Sequence, residues 1–490
     1  MSITITPPSA GTPLGAPAPH AARTLLLGVA AALLLAGCTS FIPEYQRPVA
    51  PVASTFPFDT AGPPSTTAAA DIDWQQFFQD ARLKQLISLA LQNNRDLRVA
   101  VLTIEQARAQ LQVKRADELP TVNVGATGSR QPATSGNGTS SVYSAGFQVT
   151  GYELDFFGRV RSLSQAAQAQ LLGTEEARKT VQMTLVSSVA SSYLSLLADE
   201  ELLRVTRDTL ASREQSLKLT KLKFDQGVSS ELDYRQAESL LEGARVVQAQ
   251  TLRQRALDEN VLNLLVGQPL SNDMTAALPA ALALTGQGLL SDLPAGVPSE
   301  LLVRRPDVRQ AEQQLLAANA NIGAARAAFF PRITLTGSVG TASTALSGLF
   351  KSGSFGWTFA PQLLLPIFDA GRNQANLDAS KVGRDIAIAQ YEKAVQNAFR
   401  EVADGLASRA TLGEQLRAQT AQTHAYETLL RLTDLRYRNG AANYFEILDA
   451  QRSVFAARQA VVQLQLLQTQ NLVGLYKALG GGWKDPAAGP

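Results

Sequence analysis

Residues 157–227 read FGRVRSLSQAAQAQLLGTEEARKTVQMTLVSSVASSYLSLLADEELLRVTRDTLASREQSLKLTKLKFDQG. This stretch contains no proline and a single glycine between its ends, and it is rich in Ala, Gln, Leu, Glu, Lys and Arg, which are strong helix formers. It predicts one long helix between Gly158-Arg159 and Gly227. At 1.5 Å per residue this helix would be about 100 Å long. A helix of that length is stable in water only when it packs against other long helices.

The chain contains a second copy of this stretch. It opens at Gly371-Arg372 and closes at Gly440, and the two glycines are 69 positions apart in both copies. The chain enters a further helical segment after Gly227 and again after Gly440, so the sequence predicts two long helical hairpins. The repeat extends upstream as well, because NRDLR at 94–98 aligns with RPDVR at 305–309 at an offset of 211. A repeat of this length indicates two structural units rather than a solenoid array.

Four short segments alternate between apolar side chains and small or polar ones. Their apolar positions are Val122, Val124 and Ala126; Tyr143, Ala145, Phe147 and Val149; Ile333, Leu335 and Val339; and Phe355, Trp357 and Phe359. Alternation with a period of two predicts one β-hairpin in each half of the chain. Strands of about 9 to 11 residues suit a tilted membrane barrel. The edge of a soluble β-sandwich alternates too, and the pattern alone leaves both open.

The start of the chain is typical of an export signal. Arg23 precedes the apolar run 25–37, which is too short to span a bilayer as a helix. The run ends at Leu-Ala-Gly-Cys38, which resembles a bacterial lipobox. That resemblance implies cleavage before Cys38 and a palmitate-bearing anchor on its thiol, and Thr39 at the next position implies delivery to the outer membrane. The alternative is an ordinary signal peptide with a chance cysteine.

Composition and charge exclude several classes of function. The chain has 490 residues, a formal net charge of +2 and no basic block, so nothing points to nucleic acid. A single cysteine excludes an internal disulfide and a cysteine-built metal site. The two histidines, His20 and His424, cannot form a paired zinc motif, and no phosphate-binding or nucleophile-elbow motif is present. We therefore expect no enzyme activity, no metal and no cofactor.

The four strands are too few to close a barrel, since the smallest membrane barrels have about eight. An open sheet in lipid would leave backbone groups unpaired at a cost of several kcal/mol each. Cyclic symmetry is the usual way to close such a ring, and three copies would supply about twelve strands. Long helices continuing from the strand ends would extend that barrel as a tube, which makes the assembly a conduit.

Five motifs resemble those of a known family. They are DWQQFFQD at 73–80, YELDFFGRVR at 152–161, LLVRRPDV at 301–308, PIFDAGR at 366–372 and ALGGGW at 478–483. Together they resemble the TolC-type outer membrane factors, in particular the lipoprotein branch that serves resistance-nodulation-division efflux pumps. The resemblance implies an α+β membrane protein that forms a homotrimer, with four strands per chain in a twelve-stranded outer-membrane β-barrel and a periplasmic coiled-coil tunnel. It also implies two protein partners, a periplasmic adaptor (membrane fusion) protein and an inner-membrane pump.

On this basis the chain divides into ten segments. They are a lipoprotein signal peptide (1–37), a lipid-anchored extended tether (38–72), equatorial and short tunnel helices (73–118), the first barrel hairpin (119–156), the first long helical hairpin (157–267), an equatorial connection (268–304), a short tunnel helix (305–329), the second barrel hairpin (330–369), the second long helical hairpin (370–480) and a C-terminal tail (481–490).

The expected function is that of an outer-membrane exit duct, which passes small toxic compounds or drugs from pump and adaptor to the outside and so gives multidrug resistance. Two alternatives remain. The first is the outlet of a type I protein secretion system. The second is a periplasmic coiled-coil scaffold without transport, which would keep the helices but would not need four alternating strands with aromatic side chains.

The resemblance assigns roles to residues at and near the two hairpin turns. The tips that dock the adaptor are Gly227, Val228, Ser229, Gly440, Ala441 and Ala442, although a glycine past a helix end can equally be a simple cap. The periplasmic gate is assigned to Leu430, Asp434, Arg436 and Lys221. Charged rings often constrict pores, but exposed ion pairs worth about 0 to 1 kcal/mol would look the same in sequence. Either Lys221 or an arginine of a neighbouring chain could pair with Asp434.

Overall fold

The computed structural model describes residues 40–58, 69–132, 138–271, 289, 293 and 298–483. The helices are α1 (Trp74–Phe77), α2 (Ala81–Asn93), α3 (Arg95–Ala116), α4 (Arg159–Asp225), α5 (Glu231–Val266), α6 (Pro298–Arg304), α7 (Pro306–Ala327), α8 (Arg372–Arg438) and α9 (Tyr444–Ala478). The strands are β1 (Val122–Pro132), β2 (Thr139–Glu153), β3 (Arg332–Ser343) and β4 (Phe355–Leu364). The signal segment, Cys38, most of the 268–304 connection and the tail beyond Trp483 lie outside the described residues.

The two long helices predicted from the repeat are present. Both α4 and α8 contain 67 residues, and each is followed after a short turn by a second helix, α5 or α9. A window of α4 is long and apolar enough to cross a membrane, but 56% of that window is buried inside the protein. The window therefore belongs to the helical core.

Apolar residues between Asp73 and Leu91 recur with a helical period, which predicts one helix there, but the structure interrupts it. Helix α1 ends at Phe77, and α2 begins only at Ala81. The Asp80 carboxylate accepts hydrogen bonds from the main-chain nitrogens of Arg82 and Leu83, at 2.8 and 3.2 Å, and so caps a new helix. The apolar period in the sequence continues across this cap, which is why the pattern alone predicted one helix.

The chain forms two compact units. The first comprises residues 1–44, 112–166 and 319–382, and the second comprises residues 45–111, 167–318 and 383–490. The first unit contains one four-stranded antiparallel sheet in the order β1-β2-β3-β4. The predicted hairpins are thus joined through a β2-β3 pairing, which two separate sequence segments could not reveal.

The strand register aligns the alternating side chains into rows. One row runs Val124, Phe147, Val339 and Trp357 across all four strands. A neighbouring row, on the opposite face, consists only of glycines: Gly125, Gly146, Gly340 and Gly356. A Cβ on Gly146 would overlap the main chain of β3, so the strands approach on this face as closely as only glycine permits. Glycines placed in this way let a sheet curl.

The segment predicted to be an extended, lipid-anchored tether packs against the protein within residues 40–58. In the first unit, the ring of Phe41 stacks on Phe330 with centroids 4.6 Å apart, and Asn319 donates to the oxygen of Pro43 at 2.8 Å. In the second unit, Tyr45 and Arg47 both bind Glu312 of α7, at 2.9 and 2.8 Å. The aromatic and arginine side chains of this segment hold it against the protein.

The core of the second unit is aromatic and aliphatic. Phe77 and Tyr476 stack with centroids 4.1 Å apart, and Phe78 meets the same tyrosine edge to face. The Tyr476 hydroxyl donates to the main-chain oxygen of Ile72 at 2.7 Å, and burial raises the pKa of that tyrosine. The DWQQFFQD motif thus packs against the C-terminal helix of the repeat.

Candidate functional site

The apolar side chains of the sheet are exposed in the chain. Trp357 is 70% exposed, and its neighbours Phe355 and Phe359 are exposed as well, although large aromatic side chains are normally buried. Val124 and Phe147 on the same face are also exposed. A contiguous apolar surface of this kind marks contact with a membrane or with another protein.

The first strand-to-helix junction is tied by an ion-pair cluster. Glu153 ends β2 and receives a two-pronged contact from Arg159, at 2.8 and 2.7 Å, and a third contact from Arg332 at 2.7 Å. Gly158, just before the helix, has a φ of 72°, a backbone conformation that suits glycine. The arginine predicted at this junction therefore joins the start of α4 to the end of two strands.

The second junction is built differently. Asp369 caps α8 by accepting from the main-chain nitrogens of Gly371 and Asn373, at 3.0 and 2.8 Å. Gly371 has a φ of 82°, and Ala370 also has a positive φ, 54°. Arg372 is exposed, and its guanidinium forms no ion pair within the part of the chain that the structure describes.

The two hairpin tips share one local design. Gly227 and Gly440 have φ values of 74° and 73° and follow the ends of α4 and α8. Ser230 opens α5 with a capping box on Asp233, and Asn443 opens α9 with a capping box on Glu446. The predicted tip residues lie at these turns, with Val228 75% exposed. The short turns hold their backbone in place and present small side chains to solvent.

Contacts join the two tips within one chain. Lys223 donates to the Tyr437 hydroxyl at 3.2 Å and lies 5.1 Å from the centre of its ring. Thr220 donates to the Tyr444 hydroxyl at 2.9 Å. Sequence reasoning did not pair these residues. The repeat is the sequence signal that points to one of them. Phe224 and Tyr437 occupy equivalent positions in the two copies, each three residues before the tip glycine.

The residues proposed for the gate have partners near them in sequence. Asp434 pairs with Arg438 at 2.8 Å, one turn along α8. Lys221 pairs with Asp225 at 2.9 Å, and this carboxylate raises the pKa of the lysine. Within one chain Asp434 thus pairs with neither of the partners considered from sequence, because a residue four positions away is in easier reach.

Two further residues predicted for the gate lie beside these pairs. Arg436 donates to the main-chain oxygen of Ala441 at 2.9 Å and lies 3.6 Å from Glu446. Leu430 is half-buried two turns before the tip end of α8. Arg436 therefore links α8, the turn and the first turn of α9.

The structure also shows a buried carboxyl group that sequence reasoning missed. Asp199 of α4 is 6% exposed, and burial together with the nearby Asp258 of α5 raises its pKa to about 7. Glu200 acts in the same direction, and Arg255 opposes it. In sequence, Asp199-Glu200-Glu201 is indistinguishable from a solvated acidic run.

Among the residues that the structure describes, no group of three His, Cys, Asp or Glu side chains could hold a metal ion.

The sequence of this chain matches a known protein family. The family model described as outer membrane efflux protein matches residues 86–268 and 297–481, one match for each half of the repeat. This chain belongs to that family. The outer membrane efflux proteins most similar to it include the probable efflux pump outer membrane protein TtgC of Pseudomonas putida, 47% identical over 94% of this chain and 96% of the relative. OprJ of Pseudomonas aeruginosa is 45% identical over 94% of this chain and 97% of its own.

Solved structures agree with the family assignment. The open state of the MtrE outer membrane channel of Neisseria gonorrhoeae superposes with a TM-score of 0.83 at 43% identity, covering 91% of this chain and 99% of that one. CusC, whose crystal structures concern folding and transmembrane channel formation, superposes with a TM-score of 0.81 at 40% identity, covering 91% of this chain and all of that one. This chain is therefore an outer-membrane channel of an efflux pump.

Proposed function

We propose that this channel is a homotrimer whose three sheets close one twelve-stranded barrel. The observation that carries the proposal is the sheet itself. Strands β1 and β4 are its outer strands, each paired on one side only within the described chain, and the apolar face between them is exposed. In lipid, unpaired backbone groups cost several kcal/mol each, so the two edges must meet other chains.

The duct operates between two further components. A periplasmic adaptor docks at the hairpin tips, and an inner-membrane pump of the resistance-nodulation-division class supplies the cargo. Relatives named for toluene, solvent and antibiotic efflux support small toxic compounds as that cargo. These names favour drug and solvent efflux over type I protein secretion. The exposed aromatic rows of the sheet argue against a scaffold without a membrane part.

Cysteine cross-linking tests the shared barrel. With Cys38 as the sole natural cysteine, a cysteine introduced at Val124 of β1 can be combined with single cysteines along β4, residues 355–364. We expect covalent dimers and trimers in non-reducing gels for a subset of positions on one face of β4. A pair on helix α5, Val246→Cys with Leu252→Cys, is the exposed control. Absence of cross-links at every β4 position, in protein inserted into the outer membrane, contradicts the shared barrel.

A further inference from the structure

The duplicated junctions provide an internal comparison. Arg159 and Arg372 occupy equivalent positions, each directly after the glycine that opens a 67-residue helix. Arg159 is held by Glu153. At the offset of 213 that relates the two helices, the residue equivalent to Glu153 is Pro366. The second copy has therefore kept the arginine and lost its carboxylate.

The position of Arg372 is electrostatically unfavourable without an anion. A cation in the first turn of a helix faces the positive end of the helix dipole. In the first copy Glu153 offsets this effect, whereas Asp369 in the second copy is engaged with main-chain nitrogens of the helix. A negatively charged group from outside the chain would complete the second junction as Glu153 completes the first.

An exposed apolar pair lies four and five positions before this arginine in the chain. Ile367 is 88% exposed and Phe368 is 89% exposed, among the highest values for large apolar side chains in the described residues. Leu363 at the end of β4, on the same face as Trp357, is exposed too. Exposed apolar side chains therefore extend along the chain from this face of β4 to within four residues of the arginine. In an outer-membrane channel, the ends of the strands lie where the hydrocarbon layer meets the headgroups.

A cavity of about 410 Å³ opens at the same place. Arg159, Arg332 and Arg372 line it, together with Leu364 and Pro366. Two of these arginines are engaged with Glu153, and the third, Arg372, forms no ion pair within the described residues. Three carboxylates, Glu153, Asp155 and Asp369, line the cavity too, and each is engaged with arginines or with main-chain nitrogens. The guanidinium of Arg372 is therefore the charge still available there, close to apolar side chains, and a lipid phosphate with attached acyl chains offers groups that match both.

We propose that Arg372, Ile367 and Phe368 form a binding site for a phospholipid of the outer membrane's inner leaflet. The guanidinium binds the phosphate, and the two apolar side chains pack against the acyl chains. The site anchors the second junction to the membrane, where the first junction is closed by its own glutamate. This inference rests on the outer-membrane location of the family and requires that a neighbouring copy of the chain leaves Arg372 free; it does not depend on the adaptor.

Lipid-dependent thermal stability tests the proposal. The full chain is purified in detergent, freed of native lipid and titrated with dioctanoyl phosphatidylglycerol while its unfolding temperature is measured. Ligand binding to the folded state raises that temperature with concentration. Two further titrations separate the parts of the lipid: dioctanoylglycerol lacks the phosphate, and glycerol phosphate lacks the chains. We expect only the complete lipid to stabilise the wild type at low concentration.

Substitutions assign the effect to the site. Arg372→Gln should require about tenfold more lipid for the same stabilisation, because one charge-assisted contact is lost. Ile367→Ser with Phe368→Ser should remove the advantage of the complete lipid over glycerol phosphate. The control is Arg384→Gln, an exposed arginine of the same helix that pairs with Asp385 at 2.9 Å and should titrate as the wild type does.

Three results would overturn the proposal. Equal lipid titrations of the wild type and Arg372→Gln would exclude Arg372 as the phosphate ligand. Stabilisation by glycerol phosphate at the same concentration as by the complete lipid would reduce the site to a phosphate site without a membrane role. Loss of the oligomer in Arg372→Gln without any lipid present would assign the arginine to a neighbouring copy of the chain. The first two results leave the shared barrel untouched, and the third would support an assembly of several chains.

Discussion

Arg305 donates a hydrogen bond from Nη1 to the main-chain oxygen of Ala478, 3.0 Å away. Ala478 is the last residue of α9, and Arg305 directly precedes α7, so the bond joins the end of one helix to the start of the other. In the first half of the repeat, Asn94 makes the equivalent bond to the oxygen of Leu265 at 2.9 Å. Two different side chains thus form the equivalent hydrogen bond in the two halves. An alignment of the two halves therefore gives no sequence signal for this bond.

The Arg305 joint should contribute more stability than a neighbouring surface pair. Arg305 is 3% exposed at its side chain and also binds Asp307 and Glu401, the latter at 2.9 Å. In Arg305→Lys the ammonium group cannot reproduce the contacts that the planar guanidinium makes with several acceptors at once. We expect a loss of about 1 to 3 kcal/mol in unfolding free energy. Arg304→Lys alters an exposed pair with Asp71 and should cost under about 1 kcal/mol. Denaturant unfolding of both variants measures the difference, and equal losses would contradict it.

The tip residues should tolerate small side chains and reject large ones. Val228→Trp and Ala441→Trp place bulk on turns that are exposed in the chain. We expect each to abolish drug resistance in cells while trimer yield stays normal, because an adaptor can no longer dock. Val228→Ala is the matched control and should retain resistance. Loss of the trimer itself in the Trp variants would show that the turns act only as helix caps.

The charges of the predicted gate should hold the channel at low conductance. Asp434→Ala with Arg436→Ala removes the contacts to Arg438 and Glu446. We expect higher single-channel conductance in planar bilayers, and high salt should partly reproduce this in the wild type through screening. Glu414→Ala with Arg417→Ala removes an exposed pair of the same helix and serves as the control. Unchanged conductance of the first variant, with trimers intact, contradicts a charged gate here.

The buried Asp199 should make stability depend on pH. Its pKa rises from 3.8 to about 7 on folding, so the folded state holds a proton that the unfolded state has released. Stability is therefore lost as pH rises from about 4 to about 7, and the loss is complete above that range. Asp199→Asn should unfold at a higher temperature than the wild type at pH 8, with a smaller difference at pH 5. A constant difference across this range, or the same behaviour in exposed Asp208→Asn, would exclude the mechanism.

The lipid anchor should be separable from membrane insertion. Cys38→Ser should abolish labelling by a fatty-acid analogue, because the thiol is the attachment point. The variant should still insert into the outer membrane, since one anchor adds little to a barrel already in the bilayer. Retained labelling of Cys38→Ser would contradict the lipobox interpretation. Labelling of Val228→Ala, 190 positions away from Cys38 in the sequence, is the positive control.

Much of the fold follows from local pattern. The helix formers of 157–227 and their repeat predicted α4 and α8, and glycines at both ends marked where they stop, because these elements depend on residues near each other in sequence. Alternation predicted the four strands for the same reason. The boundary at Asp80 was missed, since a cap of one residue does not interrupt an apolar period.

Tertiary structure decided the relationships between distant residues. The β2-β3 pairing, the bond between Arg305 and Ala478 and the contact between Lys223 and Tyr437 each join positions far apart in the chain. Asp434 could have paired with several cations of similar spacing, and only the positions of the side chains select Arg438. Asp199 is a charged residue in sequence, and it becomes a titrating buried group only when Asp258 and the core surround it. Sequence determines which segments are helix and strand through local energetics, whereas partners, burial and pKa depend on packing among segments that the chain order does not bring together.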